Sequence, residues 1–176
     1  MEELVDKAQN GDEDAFTTII ITMEKDLYKI AKLRLSSEDD INEVVQETII
    51  ETFKNLKKLR KVEYFKTWII KILINKCNQL YKKRKRNNFF IKYDEKNMNN
   101  LKVENNSEEV IEKLDFEILI QSLNYEERTS LTLYYLENLT TKEISKILKK
   151  PDSTIRNQIS RSRKKLKKVL EKQYKD

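Results

Sequence analysis

Apolar residues recur along most of this chain at spacings of three and four, the mark of helices that bury one side. A short helix over 2–10 turns Leu4, Val5 and Ala8 inward and ends at Gly11, where a left-handed C-terminal residue is favoured. Asp12 is placed to cap a second helix, whose stripe of Phe16, Ile19, Ile20, Met23, Leu27, Ile30 and Ala31 runs to about Leu35. Ser37, with Asp40 at the third position, predicts the capped start of a third helix with Ile41, Val44, Val45, Thr48, Ile49, Thr52, Leu56 and Leu59 inward. Its outward face collects Asp39, Glu43, Gln46, Glu47 and Glu51, with Ile50 and Lys54 among them. A fourth helix over about 63–85 is apolar on more than half its circumference, through Phe65, Trp68, Ile69, Ile70, Ile72, Leu73, Ile74, Cys77 and Leu80, and must be packed on several sides.

That helix ends in the run Lys82, Lys83, Arg84, Lys85, Arg86, and the periodicity then stops. Residues 87–109 contain seven Asn and no helical apolar period, so they read as a linker between two domains, 1–86 and 110–176. In the second domain, Val110, Ile111, Leu114, Ile118, Leu119 and Leu123 predict one helix. Asn124 with Glu127 caps the next, continued by Leu131, Leu133, Tyr134 and Leu136 to Asn138, a residue tolerated in the left-handed position. Thr140 with Glu143 repeats the cap and opens a helix through Ile144, Ile147 and Leu148; a tight turn at Pro151-Asp152 then leads into a last helix with Ile155, Ile159, Ser162, Leu166 and Val169 or Leu170 inward. The fold class is all-α, two small helical domains joined by a flexible linker.

Composition supports this. Among 176 residues there is one Gly and one Pro, little material for hairpins. Cys77 is the only cysteine and histidine is absent, which excludes a disulfide framework, a Cys/His zinc site and His-dependent catalysis within one chain and points to a reducing, cytoplasmic setting. The acidic start MEELVDKAQNGDED predicts no secretory signal, and WIIKILI at 68–74 is far shorter than the roughly 20 residues needed to span a bilayer.

Charge changes the picture most at the C-terminal end. Residues 149–175 hold eleven Lys or Arg against Asp152 and Glu171, a local net of +9 in a chain whose total is +6. A helix, a tight turn and a basic amphipathic helix are the parts of a helix-turn-helix reader of the DNA major groove. In such a helix the first residues reach base edges and later basic ones reach phosphates, which selects Arg156, Asn157, Ser160 and Arg161 for readout and Lys164 and Lys168 for the backbone. The competing account is a solvated basic helix packed on a partner. The Lys82–Arg86 run, with Tyr64, Phe65, Trp68 and Tyr81 nearby, is a second nucleic-acid candidate, although aromatics on an apolar helix are usually core. The acidic stripe lacks the His, Cys or Gly-rich loop that metal or acid-base chemistry needs, so it reads as a solvated or partner-binding face; no cofactor is expected.

Taken in order, these segments resemble a bacterial sigma factor of the extracytoplasmic-function group, compact members of the sigma-70 family. EDDINEVVQETIIETFKNL resembles the family's DLVQE-containing helix, with Glu43 in place of the commoner Asp. YFKTWIIKILINKCNQLYKKRKR resembles the next region through Trp68, Ile72, Asn75 and Arg84, and LNYEERTSLTLYYLENLTTKEISKILKKPDSTIRNQISRSRKKL the C-terminal promoter-reading domain.

The resemblance implies a promoter-specificity subunit with no enzymatic activity, whose partners are the β′ and β subunits of core RNA polymerase, promoter DNA and an anti-sigma factor of the membrane-bound kind, with no small-molecule substrate. It implies that Asp39, Glu43, Gln46, Glu47 and Glu51 dock on the β′ coiled coil. The −10 strand would meet Leu59, Arg60, Lys61, Trp68, Ile72, Asn75 and Arg84, with a pocket of Leu59, Ile72 and Asn75 for a flipped base and loop residues 60–64 setting base choice. Leu59 stands where an aromatic is often found, Ser153 where Gly is usual and Gln158 where Arg is common, removing one phosphate contact. The last helix would read the −35 element. The alternative is an ordinary helix-turn-helix repressor or activator, which explains the C-terminal domain equally well and leaves the acidic helix without a purpose. A nuclease using the acidic stripe would require metal-dependent turnover.

Overall fold

A computed structural model describes residues 1–35, 37–87 and 123–173, and the side chains of 85–87, 169, 170, 172 and 173 are left aside. Among the described residues there are seven α-helices and no strand. The 88–109 part of the expected linker, and the helix expected through Val110, Ile111, Leu114, Ile118 and Leu119, lie outside the described residues. The chain divides into two compact units.

The N-terminal helices are α1 (Glu2–Gln9), α2 (Glu13–Lys32), α3 (Glu38–Asn55) and α4 (Phe65–Asn87). The boundary between α1 and α2 forms as its residues dictate: Gly11 takes φ 100°, and the Asp12 carboxylate accepts from the Ala15 amide at 2.8 Å. α2 packs on α1, α3 and α4, and α3 on α4. Ile19, Leu27, Ile30, Ile41, Val44, Ile69, Ile70 and Leu73 are buried between them. Each such side chain stabilises the fold by about 1.5–3 kcal/mol relative to exposure.

The start of α3 departs from expectation. Ser37 sits at the N-cap but makes no side-chain capping bond, and Asp40 is buried and paired with Arg84 of α4. An ion pair to a neighbouring helix replaces the local cap. Between α3 and α4 the chain makes two 3-10 turns, Leu56–Lys58 and Val62–Tyr64. Gln9 of α1 pins the first, its amide donating to the carbonyls of Leu56 at 2.8 Å and Leu59 at 2.7 Å.

The C-terminal helices are α5 (Tyr125–Tyr135), α6 (Thr141–Leu148) and α7 (Asp152–Gln173). Asn124 and Glu127 form the expected capping box, and Thr140 and Glu143 form another, with the Glu143 amide donating to the Thr140 hydroxyl at 3.3 Å and the Thr140 amide to the Glu143 carboxylate at 2.8 Å. Asn138 adopts φ 55° as its position requires, and Lys149, at φ 54°, supplies a second left-handed residue in the turn before Pro151. On α5, Leu131 and Leu133 are buried and Tyr134 and Leu136 exposed, while Thr129, Ser130 and Thr132 are buried. α5 packs on α7; the Thr129 hydroxyl donates to the Tyr125 carbonyl at 2.8 Å and that of Ser130 to Gln158 at 2.9 Å, whereas the buried Thr132 hydroxyl finds no partner.

Candidate nucleic-acid and partner-binding surfaces

On α7, Arg156, Asn157, Ser160, Arg161, Lys164 and Lys168 are all exposed, and at 100° per residue they share an arc of about 140°. Ile155, Ile159 and Ser162 are buried on the other side. The first turn is set by Pro151, whose carbonyl accepts from Thr154 at 3.0 Å, and by Asp152, whose carboxylate holds Arg156 at 3.2 Å. Arg156 therefore leans back along its own helix. The surface offers guanidinium, amide and hydroxyl donors near the helix start and ammonium groups beyond, an arrangement suited to base edges followed by phosphates.

Gln158 lies on the flank facing α5. Its side-chain oxygen accepts from Ser130 at 2.9 Å and its nitrogen donates to Glu126 at 3.2 Å. Lys165 adds an ion pair to the buried Glu127 at 2.8 Å. Gln158 is thus a strut between helices, a role that sequence comparison with the usual Arg does not reveal; its position one step from the buried Ile159 is the signal that was available.

On α4, Trp68, Ile72 and Asn75 are half-buried and fall within an arc of about 60°. Gln79, Lys82 and Lys83 continue that strip and are exposed. Leu59 is half-buried, and Arg60 and Lys61 are exposed on the loop that leads into α4. Arg84 does not join the group: it is turned about 160° from Trp68 and holds Asp40. Of the aromatics expected nearby, Phe65 is buried, whereas Tyr64 and Tyr81 are exposed.

On α3, Asp39, Glu43, Gln46 and Glu47 are exposed along one side. Lys76 of α4 reaches toward this side, 3.4 Å from Glu47 and 3.9 Å from Glu51, and Glu51 also accepts from Asn55 at 2.8 Å. Ile50 is 52% exposed in the middle of the acids and Phe53, at the edge, is 57% exposed with its ring against Phe16. An apolar residue ringed by charge resembles the centre and rim of a protein interface. Among the described residues no three His, Cys, Asp or Glu side chains are grouped to hold a metal ion, and no helix is long and apolar enough to cross a membrane. Behind α3, burial pushes the Cys77 thiol up to about 11, so it is no nucleophile at neutral pH.

Comparison with known proteins gives the family. Residues 19–87 match the family model of Sigma-70 region 2, and residues 114–166 that of Sigma-70, region 4. The ECF RNA polymerase sigma-E factor of Haemophilus influenzae is 30% identical over 173 residues, which covers 91% of this chain and 89% of that protein. The Escherichia coli K12 protein of the same name is 29% identical, over 91% of this chain and 88% of its own. Among solved structures, the sigma factor RpoE of Bartonella quintana, crystallised with the anti-sigma factor NepR, is 19% identical with a TM-score of 0.75, covering 89% of this chain and 96% of that one. CnrH, in complex with the cytosolic domain of CnrY, is 20% identical with a TM-score of 0.68, covering 97% and 96%. The structures speak for the fold; the two family models and these relatives show the family, and the chain belongs to the extracytoplasmic-function (ECF) sigma factors of the sigma-70 family.

Proposed function

We propose that this sigma factor divides promoter recognition between its two helical units, 1–86 and 110–176, and docks on polymerase through the outward face of α3. The observation that carries the reading is the segregation of three exposed surfaces, each on its own helix: acidic with an apolar centre on α3, half-buried aromatic and amide on α4, basic on α7. In this reading α7 enters the major groove of the −35 element, with Arg156, Asn157, Ser160 and Arg161 at base edges and Lys164 and Lys168 at phosphates. Trp68, Ile72 and Asn75, with Leu59, Arg60 and Lys61 on the loop, hold the melted −10 strand. Extruding a base costs a few kcal/mol of stacking, which contacts of this kind return. Arg84 is left out of the set because its guanidinium is engaged with Asp40.

Asp39, Glu43, Gln46, Glu47 and Glu51 meet a basic surface of the polymerase β′ subunit, and the chemistry of RNA synthesis belongs to the polymerase. The protein acts in the cytoplasm and is held in check by an anti-sigma factor, as the partners named for RpoE and CnrH illustrate in those proteins. The test separates two activities in two variants. Glu47→Lys lowers affinity for core polymerase and leaves duplex −35 binding by the isolated chain unchanged, whereas Arg161→Ala does the reverse. Equal losses of both activities in both variants contradict the division of labour.

A further inference from the structure

The geometry points to Tyr64, backed by Lys61, as the platform on which an unpaired base of the melted promoter strand stacks. The inference rests on the −10 reading above and adds the residue that holds the base. Leu59 offers no ring, is half-buried, and has its carbonyl tied to Gln9 at 2.7 Å. Five residues later Tyr64 is 49% exposed. It closes the second 3-10 turn, its amide donating to the Lys61 carbonyl at 3.1 Å, and precedes α4 by one residue. Extrapolated at 100° per residue, it falls about 40° from Trp68 and so heads the strip that continues through Ile72 and Asn75.

The other aromatics of the region are worse placed. Phe65 is buried, and Trp68 is half-buried with its ring 6.1 Å from that of Phe65. Tyr81 is exposed but lies about 140° away from Trp68 around α4. Beside Tyr64, the Lys61 ammonium stands over the ring at 5.7 Å from its centroid and 3.5 Å from the Glu63 carboxylate. A cation next to an exposed ring is the pairing that single strands use, base on the π face and phosphate on the charge. The loop start is also braced on α1 through Gln9, so little ordering is left to occur on binding.

The test uses holoenzyme assembled from the full chain and bacterial core polymerase. It is first used to enrich short single strands from a randomised pool, and an enriched strand is then made with 2-aminopurine at successive positions. Wild-type holoenzyme and the Tyr64→Phe variant quench the probe at one position. Tyr64→Ala loses that quench and binds the strand about 5- to 150-fold more weakly, at unchanged affinity for core polymerase. Lys61→Gln keeps the quench and lowers the salt dependence of binding. Tyr64→Ala holoenzyme that still quenches as wild type overturns the platform and leaves the −10 reading standing. Failure of wild-type holoenzyme to enrich any strand overturns both.

Discussion

The guanidinium of Arg84, near the C-terminal end of α4, is paired with the carboxylate of Asp40, buried in the first turn of α3. The pair ties the start of α3 to the end of α4 and turns Arg84 away from the side that carries Trp68, Ile72 and Asn75. Removing Arg84 leaves a buried carboxylate without its cation. Arg84→Ala should therefore lower stability by about 1–3 kcal/mol, read as a shifted urea midpoint at unchanged slope, with Lys83→Ala as a silent control. An Arg84→Ala chain of wild-type stability that has lost strand binding would return Arg84 to the DNA.

Gln158 makes a comparable prediction in the C-terminal unit. Its two hydrogen bonds, to Ser130 and Glu126, join α7 to α5. Gln158→Ala should cost about 1 kcal/mol in the unfolding of the full chain, and duplex binding at a temperature well below the transition should be unchanged. A drop in duplex affinity without a stability change would make Gln158 a DNA contact.

Which parts of this architecture the sequence disclosed follows from the range of the interactions involved. Capping at Asp12, Asn124 and Thr140 and the left-handed positions Gly11 and Asn138 depend on neighbours within a few residues, and all five form as expected. The buried stripe of α2 obeys a single period and was equally legible. Asp40 misled because its partner is 44 residues away, so a carboxylate placed to cap its own helix is spent on another. On α5 the split between buried Leu131 and Leu133 and exposed Tyr134 and Leu136 depends on the packing against α7, which Ser130 and Glu127 also join through Gln158 and Lys165. For the surfaces, the exposed faces of α3 and α7 were readable from charge and period, but the Lys76 tether to Glu47 and Glu51 needed the packing of α4 on α3.

Cys77 gives a pH dependence of known sign. Its thiol is held at about 11 in the folded chain by burial, against an ordinary value of 9.0 once unfolded. The unfolded state therefore releases its proton first as pH rises, and the folded state binds more protons over that interval. Stability from this residue is intact below about pH 9 and falls progressively as pH climbs toward 11. Unfolding of wild type and Cys77→Ala at pH 8 and pH 10.5 should show the extra alkaline loss only in wild type, on the order of 2 kcal/mol at most. The same burial predicts that thiol reagents label Cys77 slowly in the native chain and quickly in urea.

Lys76 bears on docking. Half-buried and within reach of both Glu47 and Glu51, it orders two carboxylates of the face proposed to meet polymerase. Lys76→Ala should weaken core binding by about two- to fivefold, about 0.4–1 kcal/mol, because a partly exposed pair positions more than it stabilises. Lys76→Arg should restore most of the loss. Binding that is unchanged in Lys76→Ala would show that the two carboxylates need no tether.

Run-off transcription reads out whether this chain confers promoter choice on polymerase. Purified protein is added to sigma-free bacterial core polymerase with fragmented DNA from its own genome, and RNA 5′ ends are mapped. New starts should share two spaced upstream elements, be lost with Glu47→Lys and be weakened with Arg161→Ala. No new starts, together with tight sequence-specific duplex binding by the protein alone, would contradict that role and favour a helix-turn-helix regulator that acts without entering the polymerase.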